Sequence, residues 1–251
     1  MATTPTPAGD GTFDFGGAFR FFFEDPEWLR KALIGGALTL GGALLLPLLG
    51  AGLLLTAMTS GYAMRVLQRS WVGDPRPLPE WTDYGTLMKE GLRFVGLYLA
   101  HMVIVMFVPG MLILVLIVAG GAASRGNNDA AGGLIALAIF ALYAVIGILG
   151  FGLGVYLPAA LTRMTLYQRM GAGFEFKENV AFIRRNPKNY LLAFVTMLLV
   201  QFAAQVGMVA CCVGLFVTAF WAHCVMAWSF GQVARNDSFL GQQVSAPAPG
   251  A

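Results

Sequence analysis

The chain has 251 residues, of which 57% are apolar and only 12% charged, with a mean hydropathy of +0.70. An ordinary soluble domain carries about 25% charged residues, so the composition excludes that class. The net charge of +3 is too small to suggest a nucleic-acid partner.

The N-terminal residues 1–12 are rich in Pro, Ala, Thr and Gly and are expected to form a disordered tail. No secretory signal layout opens the chain, because the first 31 residues hold three basic and five acidic groups ahead of any apolar run. Residues 15–23 place Phe15, Phe19 and Phe22 at helical spacing. Pro26 ends that pattern, and Trp28 follows at a headgroup level. The expectation is an amphipathic helix lying at the membrane interface.

Four stretches then contain no charged residue: 32–64, 94–124, 130–162 and 189–234. About 20 apolar residues in a helix span a bilayer, so the chain reads as an all-α, polytopic membrane protein. Fifteen of the 16 basic residues lie in the segments outside these blocks and outside the loop Ser124-Arg-Gly-Asn-Asn-Asp129. The positive-inside rule places those segments in the cytoplasm and the loop outside.

Block 32–64 begins and ends inside and therefore crosses an even number of times, with Pro47 and Gly50 allowing a turn. Two arms of about 15 residues reach only about 22 Å each, short of the roughly 30 Å hydrocarbon core. The alternatives are arms that extend into flanking residues, a thinned bilayer, or a re-entrant hairpin. The connector Pro75-Arg-Pro-Leu-Pro-Glu-Trp-Thr-Asp-Tyr84 is proline-stiffened and leads to Trp81, Tyr84 and Met88 at helical spacing. It reads equally as a membrane-surface element and as a solvated loop.

Blocks 94–124 and 130–162 each cross once, and Pro109 and Pro158 are expected to kink them. Gly147, Gly150 and Gly154 are candidate packing glycines, of the kind that lets another helix, most often of the same chain, approach closely. Block 189–234 is long enough for two helices with a turn near 207–214. About six segments result, with both termini in the cytoplasm of an inner-membrane protein. The end of the chain, 241–251, is expected to be a second disordered tail.

A shift of 161 positions aligns Phe15 with Phe176, Phe19 with Val180, Phe22 with Ile183 and Pro26 with Pro187. The expectation is a single membrane domain over 13–240, with a weak parallel pseudo-repeat of 13–70 and 174–235 around the helices 94–124 and 130–162.

Intramembrane polar residues are candidates for function. His101 and His223 are the two histidines, and Gln201 and Gln205 share a helix face. Two histidines do not make a zinc site, which needs three or four ligands, and hydrogen-bonded packing is expected of them. The glutamines read first as interhelical glue and second as the lining of a polar cavity. The three cysteines sit in one apolar block without metal-ligand spacing and read as packing residues. No hydrolase or nucleotide-binding motif is present. No catalytic residue, cofactor or metal is assigned.

Three strings carry a resemblance: Asp25-Pro-Glu-Trp-Leu-Arg-Lys-Ala-Leu-Ile-Gly-Gly36, Gly61-Tyr-Ala-Met-Arg65 and Leu78-Pro-Glu-Trp-Thr-Asp-Tyr-Gly85. In that order they resemble the bacterial and archaeal membrane family catalogued as domain of unknown function 4013. The string Phe176-Lys-Glu-Asn-Val-Ala-Phe-Ile-Arg-Arg-Asn-Pro-Lys-Asn-Tyr190 is similar to its second half, and Ala222-His223 and Gly231-Gln232 to its end. The resemblance covers roughly 13–235 and implies architecture but no catalytic residues. The expected function is a non-enzymatic scaffold, accessory or envelope component whose partners are the lipid bilayer and other membrane proteins. The alternative is a small-solute transporter or pore built on the repeat.

Overall fold

The computed structural model describes residues 11–48, 50–125, 129–208 and 211–240, and all regular structure among them is helical. Eight helices follow in order: α1 (Phe15–Arg20), α2 (Trp28–Leu44), α3 (Gly50–Val72), α4 (Tyr84–Arg125), α5 (Asp129–Tyr167), α6 (Phe176–Arg185), α7 (Pro187–Val206) and α8 (Cys211–Arg235). The single domain expected over 13–240 is organised as two compact units, residues 11–95 with 158–240, and Gly96–Leu157.

In the larger unit α8 is the centre, packing against α2, α3 and α7. Its buried residues include Phe220, Cys224, Val225, Phe230 and Val233, which are spread around the helix rather than along one stripe. Such a helix must be covered on several sides. Side chains of minimal size permit the close crossings. A side chain at Gly35 would overlap the Phe220 ring, and one at Gly36 would meet the Val217 backbone. One at Gly231 would meet the Leu67 carbonyl at 2.6 Å. The start of α4 lies equally close to α3, because a Cβ at Gly61 would strike the Leu87 carbonyl and one at Gly91 the Ala57 carbonyl.

The hairpin arms extend beyond both ends of the charge-free block. α2 has 17 residues and α3 has 23, about 25 and 34 Å at 1.5 Å per residue. Both extend into flanking sequence, and a 3-10 turn over Leu46–Leu48 joins them at Pro47. The second hairpin, α7 and α8, turns at Gly207. Among the described residues, four helices are long and apolar enough to cross a membrane: Tyr84–Gly121, Gly132–Tyr167, Pro187–Val206 and Gly214–Arg235. The expected count was about six. α2 and α3 are not among the four, α2 for its length and α3 because Arg65, Arg69 and a run of Thr, Ser, Gly and Tyr lower its hydropathy.

In the smaller unit α4 and α5 run antiparallel. The His101 and Tyr156 rings are 5.5 Å apart, and Gly120 faces Ile135. None of the most apolar window of either helix is buried. Pro109 and Pro158, expected to kink these helices, lie inside unbroken helical segments.

Packing bears on two expectations about surface elements. The aromatic face before Pro26 is largely turned inward: Phe21 stacks on Trp228 with ring centroids 4.9 Å apart, and Phe22 meets Phe220. Only Phe15 and Phe23 remain exposed. α1 also ends at Arg20, six residues short of Pro26, while Pro187 is the first residue of α7. Of the tail expected over 1–12, residues 11 and 12 are tied down. Asn189 donates to the Gly11 carbonyl at 2.8 Å and Asn236 to that of Thr12 at 3.3 Å. Residues 1–10 and 241–251 lie outside the described residues.

Candidate functional site

The site is assembled from the three strings that begin the sequence resemblance. Asp25 starts it: its carboxylate accepts from the Glu27 backbone N–H at 2.8 Å, an Asx turn just ahead of α2. One turn into α2, the Lys31 side chain points back into the protein and is 2% exposed. Its ammonium lies 2.8 Å from Asp25, 2.6 Å from Glu80 and 3.3 Å from the Leu78 carbonyl. An ammonium has three N–H groups, and all three are engaged. Saturated in this way, Lys31 is a clamp between α2 and the connector rather than a free nucleophile.

The second string adds Tyr62 on α3. Its hydroxyl donates to the Pro79 carbonyl at 2.9 Å, satisfying a group that would be costly to bury alone. The third string adds Trp81, whose ring lies 4.3 Å from that of Tyr62 at 23° and whose indole N–H donates to the Lys31 carbonyl at 3.3 Å. The connector is therefore packed in part, with Pro77, Leu78, Pro79 and Trp81 buried and Arg76, Glu80, Thr82, Asp83 and Tyr84 exposed. Leu78 and Trp81 are buried, because Tyr62, Phe220 and the α2 backbone offer the ring an apolar face and one acceptor together.

A cleft of about 340 Å³ opens beside this clamp, with Glu27, Arg69 and Arg76 around it. Its rim is built by the turn after α3. Gly73 takes φ 74°, the left-handed conformation that glycine adopts without penalty. The Asp74 carboxylate then accepts from the Arg76 backbone N–H at 2.9 Å. Arg69 donates to the Arg76 and Leu78 carbonyls at 3.2 Å each.

Further clamps lie in the same unit. Arg163 is buried and donates to Asn179 at 3.0 Å and to Glu175 at 2.9 Å, tying the end of α5 to α6. Arg185 reaches Asp237 at 2.8 Å. Arg65 bridges Asp83 at 3.0 Å and Glu90 at 3.4 Å, joining α3 to the start of α4. Hydrogen bonds from Thr86 and Arg65 hold the Asp83 carboxyl below its ordinary value of 3.8.

The residues singled out from sequence lie elsewhere. His101 and His223 belong to different units. Each has its Nδ1 2.9 Å from a carbonyl four residues earlier in its own helix, Leu97 and Ala219. Gln201 and Gln205 are on the exposed face of α7, displaced by one residue from the buried Val200 and Ala204. One residue is about 100° around a helix, so neither glutamine glues α7 to α8. Gly147, Gly150 and Gly154 face open space, and a Cβ added at any of them would meet nothing within 4 Å. Among the described residues, the glycines in close contact include Gly35, Gly36, Gly52, Gly61, Gly91, Gly207 and Gly231.

In the sequence the clamp residues read as topological charges. The legible signal was the Leu78-Pro-Glu-Trp string, in which a proline-flanked tryptophan is an unusual thing to leave in a polar loop. Among the described residues, no group of three or more His, Cys, Asp or Glu is placed to hold a metal ion.

No curated protein and no solved structure matches the chain. Residues 33–213 match the family described as "Protein of unknown function (DUF4013)". That span includes Tyr62, Leu78, Glu80 and Trp81 but begins two residues after Lys31 and ends before Gly231, so it is narrower than the resemblance over 13–235. With well over half of its length matched, the chain belongs to the DUF4013 family.

Proposed function

We propose that this protein is a multi-pass component of the cytoplasmic membrane that acts as a non-enzymatic scaffold or accessory subunit. The observation that carries the reading is the division of labour between the units. The larger one is stiffened by buried ion pairs and close helix crossings. The smaller one offers two long apolar helices, with Phe107, Leu137, Phe140, Ile148 and Phe151 among its exposed side chains. Surface of this kind belongs against lipid or against other transmembrane helices.

The arrangement of helix ends in the larger unit supports an orientation. Gln68 on α3 reaches the Thr165 carbonyl on α5, and Arg93 on α4 reaches Gln168. Ser70 on α3 donates to Trp228 on α8. The starts of α2, α4 and α7 and the ends of α3, α5 and α8 thus share one end of the unit. Fifteen of the 16 basic residues lie in the segments at these helix ends, which fits a cytoplasmic face. The termini belong on that side and the α4–α5 loop on the opposite one.

Photo-crosslinking tests the scaffold reading. A benzophenone side chain placed at Leu137, Phe140 or Ile148 should give a discrete adduct with another membrane protein in intact cells. Adducts with lipid alone at all three positions would overturn it. Cysteine labelling tests the orientation: Ser124→Cys should react with an impermeant maleimide in spheroplasts without permeabilisation. The transport alternative is less favoured, because Gln201 and Gln205 lie on an exposed helix face and line no path within the larger unit.

A further inference from the structure

The exposed face of α7 is more ordered than lipid contact alone requires. Leu191, Val195, Leu198 and Phe202 are between 37% and 75% exposed, and Gln205 is exposed in line with them. Their spacings alternate between 4 and 3 residues, the repeat of a helix that packs along a left-handed seam against another helix. Gln201, also exposed, flanks the seam beside Phe202. The residues that α7 buries within the chain, among them Ala193, Val200 and Ala204, lie on the opposite side.

The two amides sit at hydrocarbon depth. Measured from Lys188 in the first turn of α7, Gln201 is about 20 Å and Gln205 about 26 Å along the helix, inside a core of roughly 30 Å. The neighbouring helices agree. Thr218 on α8 donates to the Ala204 carbonyl at 2.7 Å, and Gly36 on α2 lies against Val217, so the glutamines are level with the middle of α2. From there α2 climbs about 12 Å further to a tip where Leu44, Leu46 and Leu48 are exposed. Among the described residues neither glutamine amide bonds within the chain, and an unpaired amide in lipid is costly.

We infer that α7 is a self-association seam, through which two copies of this chain pair in the membrane. The two α7 helices run parallel about a two-fold axis along the membrane normal, and the Gln205 amides of the two copies bond to each other across it. A second copy is the occupant that the seam fits. A primary amide carries donors and an acceptor together, so two identical amides satisfy each other where identical charges would repel. Copies in one membrane share an orientation, so a two-fold axis brings each seam position against itself. The inference rests on the membrane placement proposed above and not on the scaffold role.

Förster transfer between full chains carrying donor and acceptor dyes at the N-terminus tests it, in vesicles of phosphatidylethanolamine and phosphatidylglycerol with increasing lipid. Transfer should persist as the chain is diluted. Gln205→Leu should weaken association about tenfold, the scale of one or two interhelical hydrogen bonds. It should leave thermal unfolding unchanged, because the side chain has no partner in its own chain. Gln205→Asn should keep most of the association. On mild oxidation Leu198→Cys should form a disulfide-linked dimer and Leu199→Cys, beside the seam, should not, with the unaltered chain and its own three cysteines as the control. A Gln205→Leu chain that associates as tightly as the unaltered one would overturn the seam, as would equal cross-linking at Leu198 and Leu199. A monomer in the bilayer, with α7 against lipid or a different protein, would sink the pairing and leave the membrane placement standing. Failure of the chain to enter vesicles would sink both.

Discussion

Trp81 lies over Tyr62 with ring centroids 4.3 Å apart, and the hydrogen bonds of the two residues run in opposite directions across the contact. The indole donates to Lys31 on α2, while the phenol donates to Pro79 in the connector. Two aromatic residues thereby join α2, α3 and the segment that enters α4. Removing either ring should loosen all three. Trp81→Ala should destabilise the larger unit by about 3–5 kcal/mol, the usual cost of an aromatic-to-alanine change in a core. Trp81→Phe should cost less, because it keeps the stack and loses one hydrogen bond. Thermal unfolding in detergent, followed by tryptophan fluorescence of the remaining indoles or by circular dichroism, would check the order.

The Lys31–Asp25 pair is buried on both sides, with side-chain exposures of 3% and 6%. Breaking it leaves one charge without its partner. Lys31→Met should therefore destabilise by about 3–5 kcal/mol. Adding Asp25→Asn should recover part of that loss, since the orphaned carboxylate is then gone. A double variant no more stable than Lys31→Met would show that Asp25 is not the group left stranded. Denaturant unfolding of the four proteins measures the coupling.

At Gly91 a side chain would overlap the Ala57 carbonyl, whereas at Gly85, in the same helix, it would meet nothing within 4 Å. Gly91→Ala should force α3 and α4 apart and destabilise by about 1–3 kcal/mol. Gly85→Ala should be neutral or stabilising, by up to about 1 kcal/mol, through the ordinary helix preference for alanine. The pair isolates close approach from helix propensity, and melting temperatures of the two variants would read it.

Asp83 supports α3 and α4 through Arg65 and caps α4 through Thr86. Its carboxyl is held below 3.8 in the folded chain. A depressed folded value contributes stability above the unfolded value, and that contribution is lost as pH falls through the folded one. Asp83→Asn should therefore lower the melting temperature slightly at neutral pH and converge with the unaltered protein at pH below 3.8. The difference should also shrink in high salt, because the group is exposed. A difference that persisted unchanged into acid would contradict the assignment.

His101→Gln and His223→Gln together should leave membrane insertion and unfolding temperature nearly unchanged, because each imidazole bonds a carbonyl of its own helix. Expression of the double variant, extraction and a thermal melt would decide it. Loss of folded protein would assign the histidines a packing role that their local bonds do not explain.

The element types were legible in the charge distribution alone. Three of the four charge-free blocks, 94–124, 130–162 and 189–234, mark where helices are apolar enough to cross a membrane, the basic segments mark which helix ends lie together, and Pro47 and the glycines around 207–214 mark the turns. These features are local: solvation of charge and backbone preference act on each residue wherever the rest of the chain lies. Close approach is different. Gly150 and Gly154 make a recognisable pattern and face open space, while Gly61 and Gly91, with no such spacing, sit where two backbones meet. A glycine has no chemistry of its own to signal which it will do, so only the helix crossing decides. Lys31, Asp25 and Glu80 are likewise ordinary interfacial charges in the sequence. Lys31 and Asp25 become a buried pair, with the half-exposed Glu80 beside them, because the connector, 47 to 50 positions after Lys31, folds back over α2. Gln201 and Gln205 fail in the opposite direction, their polarity marking them out while a rotation of about 100° from the buried face of α7 leaves them outside. Local polarity and spacing thus determined the kind of protein, and the packing of distant segments alone determined which residues meet.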